Sequence, residues 1–200
     1  AKSLESITDI DGEDPVWSLL DLDADGRVDL VVTRWDDLGL SALGKTEWLV
    51  YKNTGSGFST ASTWSLPSGF PLESLYSATD VDGDDPSWAL VDLSGDGGVD
   101  LVVTRWDDLG ISALGATQWL RYPNTGSGFA SATTWALPTG FPSGSLEALT
   151  DVDGDDPSWA LLDLDGGDAV DLVVSRWDAL GISELGATEW LVYDNQCGDR

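Results

Sequence analysis

Three near-copies of one acidic loop recur along the chain at a fixed interval. The loops begin at Asp21, Asp92 and Asp163, and both intervals are 71 residues. In the fullest copy, carboxylates occupy loop positions 1, 3, 5 and 9, and a glycine occupies position 6. This pattern wraps oxygen atoms around one point, as a hard cation such as Ca²⁺ requires. The loops therefore predict calcium sites.

The residues on either side of the loops distinguish them from EF-hands. An EF-hand needs a bidentate glutamate at position 12 and a helix on each side of the loop. Position 12 is instead Val32, Val103 or Val174. The flanking segments, such as Trp-Ser-Leu-Leu before the first loop and Leu-Val-Val-Thr-Arg-Trp after it, are short and rich in aliphatic and aromatic residues. Such segments are typical of strands, so each loop is predicted to join two β-strands.

The composition narrows the class of function. A net charge of −27 with only nine basic residues argues against binding to nucleic acid or to anionic membranes. There is no histidine, and the single cysteine is Cys197. Acid–base catalysis would therefore depend on paired carboxylates, and the recurrent ones are already explained by calcium. We expect a soluble, secreted protein that is not an enzyme.

The repeat interval indicates an array of one structural unit. In the second repeat, a buried strand that begins at Trp88 precedes the acidic loop, and another strand follows it. Residues 117–122 and 132–138 then form a third and a fourth strand, and Pro138 ends the last. A four-stranded antiparallel unit that repeats is a propeller blade. The recurring tryptophans are expected to pack mainly between blades.

The predicted all-β chain is a β-propeller of about three blades, at residues 1–71, 72–142 and 143–200. The third blade has no counterpart of Trp64 or Trp135, so its outer strand is expected to be absent. Three blades are fewer than the roughly four to eight of known rings. Exposed apolar blade faces require a partner. We therefore expect either a homo-oligomer, a dimer or trimer that completes the ring, or a piece of a longer propeller.

Two motifs in this order resemble a known family. Asp-x-Asp-x-Asp-Gly-x-x-Asp joins the first two strands, and Asn-x-Gly-x-Gly-Phe follows the third, as at residues 124–129. Across essentially the whole chain, they resemble the FG-GAP or VCBS-type repeats of integrin-like β-propellers. The resemblance implies bound Ca²⁺ with a structural role. The ligands that it implies are Asp21, Asp23, Asp25, Asp29 and the carbonyl of Arg27; Asp92, Ser94, Asp96, Asp100 and the carbonyl of Gly98; and Asp163, Asp165 and Asp171.

Two alternatives remain open for these loops. Asp and Gly also favour tight turns without any metal, although four converging carboxylates would then repel one another. The third loop departs from the pattern, because Gly167 stands at position 5 and Asp168 at position 6. Whether this third loop binds metal is left open by the sequence.

A second recurrent cluster suggests a ligand of another kind. An arginine, a tryptophan and an aspartate are consecutive in each repeat, as Arg34, Trp35 and Asp36; Arg105, Trp106 and Asp107; and Arg176, Trp177 and Asp178. A sugar ring can stack on an indole while its hydroxyls bond to Arg and Asp. A structural ion pair beneath a stacked indole would use the same residues. The sequence therefore predicts a calcium-stabilised binding module, lectin-like or adhesive, with a purely structural or protein-interaction scaffold as the alternative.

Overall fold

The computed structural model describes residues 17–34, 39–69, 75, 87–105, 109–141, 146, 158–167, 169–176 and 184–195. These residues form eleven strands in three antiparallel sheets. The predicted blade boundaries, at residues 71/72 and 142/143, lie outside the described residues. Within the described ranges, no helix has the length and apolar character needed to cross a membrane.

Each sheet follows the order of the chain. The first contains β1 (Trp17–Leu20), β2 (Asp29–Val32), β3 (Glu47–Tyr51) and β4 (Ser62–Ser65). The second contains β5 (Trp88–Val91), β6 (Asp100–Val103), β7 (Gln118–Tyr122) and β8 (Thr133–Ala136). The third contains β9 (Trp159–Leu162), β10 (Asp171–Val174) and β11 (Leu191–Tyr193). The coarse prediction of an all-β chain built from repeated antiparallel sheets is thus confirmed.

The second strand of every sheet has the same sequence, Asp-Leu-Val-Val, and all four of its residues are buried. Such aliphatic runs suit a strand that is covered on both faces. The strand pairs with the one before it, so that the acidic loop forms the hairpin connection; Leu20 lies opposite Asp29 in the first sheet. The valine at loop position 12 therefore ends a strand in each repeat, which agrees with the prediction that these loops are not EF-hands.

Apolar side chains join neighbouring sheets. One core cluster contains Trp48 of the first sheet and Phe129, which follows β7, and their rings meet edge to face at 6.0 Å. The indole N–H of Trp48 donates to the Leu75 carbonyl at 2.8 Å. The same bond recurs at the counterpart Trp119, whose indole donates to the Leu146 carbonyl at 2.7 Å.

Side-chain amides also join one sheet to the next. The Nδ2 atom of Asn124 donates to the carbonyl of Leu22, which follows the first position of the preceding acidic loop, at 2.8 Å. Asn195 donates in the same way to the Leu93 carbonyl, also at 2.8 Å. Because both asparagines also donate to a carbonyl within their own sheet, each fixes its sheet against the acidic loop of the sheet before it.

Most described tryptophans are core residues, as predicted. The buried ones are Trp17, Trp48, Trp64, Trp88, Trp119 and Trp159. Trp135 is half-buried, and Trp190 is 58% exposed. Trp35, Trp106 and Trp177 lie outside the described residues. The exposed indole of Trp190 lies just before β11 of the third sheet, in which the described residues form three strands rather than four.

Candidate metal centre

The backbone of the first acidic loop folds around the carboxylate of Asp21. That carboxylate accepts hydrogen bonds from the N–H groups of Asp25 at 3.2 Å and Gly26 at 2.8 Å. The turn needs left-handed backbone at Ala24, with φ of 62°, and at Gly26, with φ of 84°. Aspartate and glycine favour turns of this kind because the side chain bonds to the backbone and glycine tolerates positive φ.

Three carboxylates converge at one end of this loop. Asp21, Asp23 and Asp29 each present an oxygen, and these oxygens lie within 4.8 Å of one another. The fourth predicted carboxylate, Asp25, turns away and accepts from the backbone N–H of Arg27 at 2.9 Å and from its guanidinium at 3.2 Å. The structure thus brings together three of the four carboxylates that the sequence predicted for this loop.

Asp29 is the buried member of the group, with no exposed surface. Its Oδ1 atom accepts the backbone N–H of Asn53 at 2.7 Å, whereas its Oδ2 atom has no hydrogen-bond partner among the described residues. A buried carboxylate oxygen without a partner carries a desolvation cost that a bound cation would offset. The residues of the first loop therefore fit a cation.

The electrostatic environment of Asp29 also suits a cation. Burial raises the pKa of its carboxyl above 3.8, and the negative charges of Asp23, Asp25 and Asp21 raise it further. Only the hydrogen bond from Asn53 lowers this pKa. Ionisation of Asp29 is therefore less favourable than that of a solvated aspartate, and a bound divalent cation would offset this effect.

A lysine lies beside the same group. Lys52 Nζ is 2.6 Å from Asp23 Oδ2, and this hydrogen bond raises the pKa of the lysine. The side chain of Lys52 is 45% exposed, so it approaches from the solvent side. The ammonium thus neutralises part of the loop without reaching the buried oxygen of Asp29.

The second loop has the same backbone frame but a different charge partner. Asp92 accepts from the N–H groups of Asp96 at 3.3 Å and Gly97 at 2.8 Å, as Asp21 does from Asp25 and Gly26 in the first loop. Asp100, the counterpart of Asp29, is also fully buried. Both of its oxygens are bonded by Arg121, with Nε at 2.6 Å and Nη2 at 3.2 Å. In the second loop, a guanidinium thus contacts the carboxylate oxygen that is equivalent to the unpartnered Oδ2 of Asp29 in the first loop.

The other predicted ligands of the second loop form part of the turn. The hydroxyl of Ser94 is 3.5 Å from Asp92 Oδ1, and the carboxylate of Asp96 accepts the N–H of Gly98 at 3.0 Å. The side chains at positions 3 and 5 therefore bond within the loop.

The third loop is more open. Asp163 and Asp165 are exposed and accept the backbone N–H groups of Gly166 at 2.7 Å and Gly167 at 2.8 Å. Asp171 is buried, and its Oδ2 atom lies 3.5 Å from the N–H of Leu164. Among the described residues, this loop shows no convergent carboxylate group of the kind seen in the first.

Lys52 and Arg121 are the two charge partners of the acidic loops that the sequence analysis missed. The repeat interval places Pro123 at the position of Lys52, and it places Val50 and Val192 at the position of Arg121. Both basic side chains therefore break the repeat, and they are two of only nine in the chain. This departure from the repeat could have identified both residues from the sequence, because a basic side chain that occurs in only one repeat can change the net charge around the acidic loop of that repeat.

The predicted sugar-binding cluster is described only in part. Arg34 and Arg105 are half-buried, and Arg176 is exposed. Their predicted partners lie outside the described residues, namely Trp35, Asp36, Trp106, Asp107, Trp177 and Asp178. The sugar site therefore stays a prediction.

Comparison with known proteins adds information on the fold. The chain matches no protein-family model and no curated protein. It is similar to a chain of the Photorhabdus luminescens Tc holotoxin pore, with a TM-score of 0.54 and 22% identity over 92% of its own length. A second solved structure, TcdB2–TccC3 without the hypervariable C-terminal region, aligns with a TM-score of 0.48 and 18% identity over 90% of this chain.

The similarity is restricted to the fold. This chain spans 6% of the length of each of these two much longer chains. At 22% identity, the holotoxin chain shows that the arrangement of strands recurs in a solved structure. The chemistry of the acidic loops has to be argued from the residues of this chain.

Proposed function

We propose that this chain is a calcium-stabilised, propeller-type repeat module of the FG-GAP or VCBS kind, and that its first acidic loop is the principal calcium site. The single observation that supports this most is the buried Oδ2 of Asp29, which has no hydrogen-bond partner among the described residues. Two further carboxylates, of Asp21 and Asp23, each place an oxygen within 4.8 Å of an oxygen of Asp29. Hard oxygen ligands of this kind suit Ca²⁺.

The role proposed for calcium is structural. Asp21 and Asp23 belong to the β1–β2 connection, and Asp29 begins β2, so a bound ion would cross-link both ends of the hairpin loop. Binding to the folded state alone would stabilise it by about 2.7 kcal/mol when free calcium exceeds its Kd about 100-fold. The ordered hairpin would also fix the Leu22 carbonyl that accepts the inter-sheet hydrogen bond of Asn124.

The three loops are proposed to differ in affinity. Arg121 neutralises Asp100 in the second loop, so calcium there would have to displace a two-point ion pair. In the third loop, two of the carboxylates are exposed and already accept backbone hydrogen bonds. We therefore propose one strong site and two weaker ones.

The calcium-bound repeats are proposed to act as a secreted binding module without enzymatic activity. The recurrent arginine, tryptophan and aspartate would give one glycan site in each repeat, and recurrence would make binding multivalent. A homo-oligomer, dimer or trimer, would close the ring. The alternative is a scaffold for protein interactions without a small ligand. Glycan-array binding that disappears in an Arg34→Ala, Arg105→Ala, Arg176→Ala variant of native stability supports the lectin proposal, whereas an array without hits favours the scaffold.

Calorimetric titration and thermal unfolding in calcium and in chelator test the calcium proposal. We expect one tight site and a melting temperature that falls on chelation, with Mg²⁺ as a weaker substitute because it demands a smaller octahedral site. A melting temperature that is the same in calcium and in chelator would contradict the proposal.

A further inference from the structure

Two contacts from the second repeat hold the first acidic loop on either side of Asp23. The carbonyl of Leu22, at loop position 2, accepts a hydrogen bond from Nδ2 of Asn124 at 2.8 Å. At loop position 4, the Cβ atom of Ala24 lies 3.7 Å from the place that a Cβ on Gly97 of the second loop would occupy. Asp23 lies between these contacts and is one of the three carboxylates of the candidate calcium site. The second repeat therefore borders this site.

The side chain of Leu22 is fixed by the same join between the first and second sheets. It has no exposed surface, and it belongs to the core cluster that also contains Leu101 and Tyr122 of the second sheet. Leu22 is therefore held by its side chain and by its carbonyl. Its neighbours in the chain are Asp21 and Asp23, and each residue has only two soft backbone dihedral angles. A fixed Leu22 thus restricts the movement of both carboxylates.

The side-chain amide of Asn124 is held in one orientation by its own repeat. Its Oδ1 atom accepts the N–H of Gly126 at 2.7 Å, so Nδ2 faces the carbonyls of Leu22 and Val99. The backbone N–H of Asn124 donates to Oδ1 of Asp100 at 2.9 Å. Asn124 is thus anchored to the second acidic loop, and its bond to Leu22 crosses to the first sheet.

The same arrangement recurs at the join between the second and third sheets. Asn195 donates from Nδ2 to the Leu93 carbonyl, at position 2 of the second loop, at 2.8 Å, and to the Val170 carbonyl at 3.1 Å. Its backbone N–H donates to Asp171 at 3.0 Å. A hydrogen bond from an asparagine to the acidic loop of the preceding repeat is therefore a regular feature of this fold.

The third carboxylate of the candidate site is held by the first sheet itself. Asp29 begins β2, and its Oδ1 atom accepts the backbone N–H of Asn53 of the same repeat at 2.7 Å. Asp23 is instead bracketed by contacts from the second repeat. The distance between these two carboxylates therefore depends on how closely the second sheet packs against the first loop.

We propose that Asn124 is a positioning residue for the first calcium site, so that the site is assembled from two consecutive repeats. This inference rests on the calcium role proposed above. Through Leu22, Asn124 holds the carboxylates of Asp21 and Asp23 in place beside Asp29. Such coupling is reciprocal, because an ion that is bound more tightly when the join is closed also favours the closed join. Calcium would therefore strengthen the contact between the two sheets as well as the hairpin.

Calorimetric titration of Asn124→Ala with calcium, in the range that fills only the tight site, tests this proposal. We expect the Kd to rise about threefold to tenfold, which corresponds to the loss of one hydrogen bond. The melting temperature of the variant should fall further below that of the parent in calcium than in chelator, because weaker binding removes part of the stabilisation by calcium. A residue with a purely structural role would lower both melting temperatures by similar amounts and leave the Kd unchanged.

Asn195→Ala is the matched control, because it removes the same type of bond from the second loop. It should destabilise the fold and leave the Kd of the tight site unchanged. A second measurement uses the parent chain alone. Hydrogen exchange of the side-chain amide of Asn124, followed by NMR, should slow when calcium fills the first loop, because reciprocal coupling closes the join.

The possible outcomes distinguish this proposal from the proposed function. A parent chain without a tight calcium site would overturn both. If the parent binds calcium tightly, the same Kd in Asn124→Ala together with unchanged amide exchange would overturn the positioning role and leave the calcium-stabilised module in place. An equal rise of the Kd in Asn124→Ala and Asn195→Ala would also overturn the positioning role, because a general loosening of the fold would then explain the effect.

Discussion

Arg121 contacts both carboxylate oxygens of Asp100, with Nε 2.6 Å from Oδ2 and Nη2 3.2 Å from Oδ1. The same loop position in the first repeat is Asp29, whose Oδ2 has no partner among the described residues. The two loops share their pattern of backbone turns, so the difference arises from the neighbouring strand, which carries Arg121 in β7 and Val50 in β3. One residue outside the loop thus determines whether a buried carboxylate oxygen is available to a cation.

Replacement of Arg121 should allow the second loop to bind calcium. Arg121→Val installs the residue found at the same position in the other two repeats. In chelator, we expect a loss of about 1 to 3 kcal/mol in the free energy of unfolding, because Oδ2 of the buried Asp100 loses its partner. In calcium, the loss should be largely recovered, and calorimetry should detect an additional tight site. An unchanged stoichiometry would show that the second loop is a turn without a metal function.

Neutralisation of Asp29 should remove the calcium response. Asp29→Asn keeps the shape of the side chain and removes the buried charge. We expect the variant to be more stable than the parent in chelator by about 1 kcal/mol, since the parent then holds an unpaired buried carboxylate. Calcium should no longer raise the melting temperature of the variant. The matched control is Asp100→Asn, which should destabilise the chain in chelator because it leaves the guanidinium of Arg121 without its carboxylate partner. A similar loss of stability in both variants would contradict this expectation.

Lys52 should weaken calcium binding at the first loop. Its ammonium contacts Asp23 at 2.6 Å and must leave this oxygen when a divalent ion binds. We expect Lys52→Ala to tighten calcium binding about twofold to fivefold, which is the range of an exposed ion pair. Titration of the parent and variant at the same ionic strength measures the change. Lys45→Ala, in the exposed turn before β3, is a charge-matched control that should have little effect.

The dependence of stability on pH should report the state of Asp29. Its pKa is raised in the folded protein, so the folded state binds more protons than the unfolded state in the pH range between 3.8 and that raised value. In this range, the contribution of Asp29 makes the folded state more stable as the pH falls. In chelator, the stability advantage of Asp29→Asn over the parent should therefore shrink as the pH is lowered from about 7 towards about 4. If the stability difference between Asp29→Asn and the parent stays constant with pH, protonation of Asp29 is not the source of the pH dependence.

Asn124, which bonds to two sheets, should contribute more to the stability of the fold than its counterpart Asn53. The side-chain amide of Asn124 donates to Leu22 of the preceding sheet and to Val99 of its own, whereas that of Asn53 donates, among the described residues, only to Val28 of its own sheet. We expect Asn124→Ala to lower the free energy of unfolding by about 1 kcal/mol more than Asn53→Ala. Chemical denaturation of both variants tests this difference, and equal losses would show that the inter-sheet bond adds no stability.

The recurrent part of this structure could be predicted from the sequence. The acidic loops predicted the hairpins, and the Asp-Leu-Val-Val segments predicted the buried strands. Hairpins and strands were predictable because they depend on residues that are close together in the chain. The glycine-rich turn after the third strand was also visible from residues 124–129. What it contacts was not visible, because Phe129 meets Trp48 of another sheet.

The chemistry of the candidate site was predicted less completely. Four carboxylates were predicted for the first loop, and the structure brings Asp21, Asp23 and Asp29 together while Asp25 bonds to Arg27. Equivalent ligands were predicted for the second loop, but not the ion pair with Arg121, which is 21 residues from Asp100. Such a pair forms only when two strands align in register.

The sequence by itself determined the repeat, the strand-forming segments and the positions of the acidic loops, because local patterns of apolar residues, glycine and carboxylates encode these properties. Only the tertiary structure decided which carboxylate oxygen is buried without a partner among the described residues, which loop a basic side chain neutralises, and which side chains join neighbouring sheets. These properties depend on distances between residues of different strands and sheets, and a linear pattern does not contain those distances.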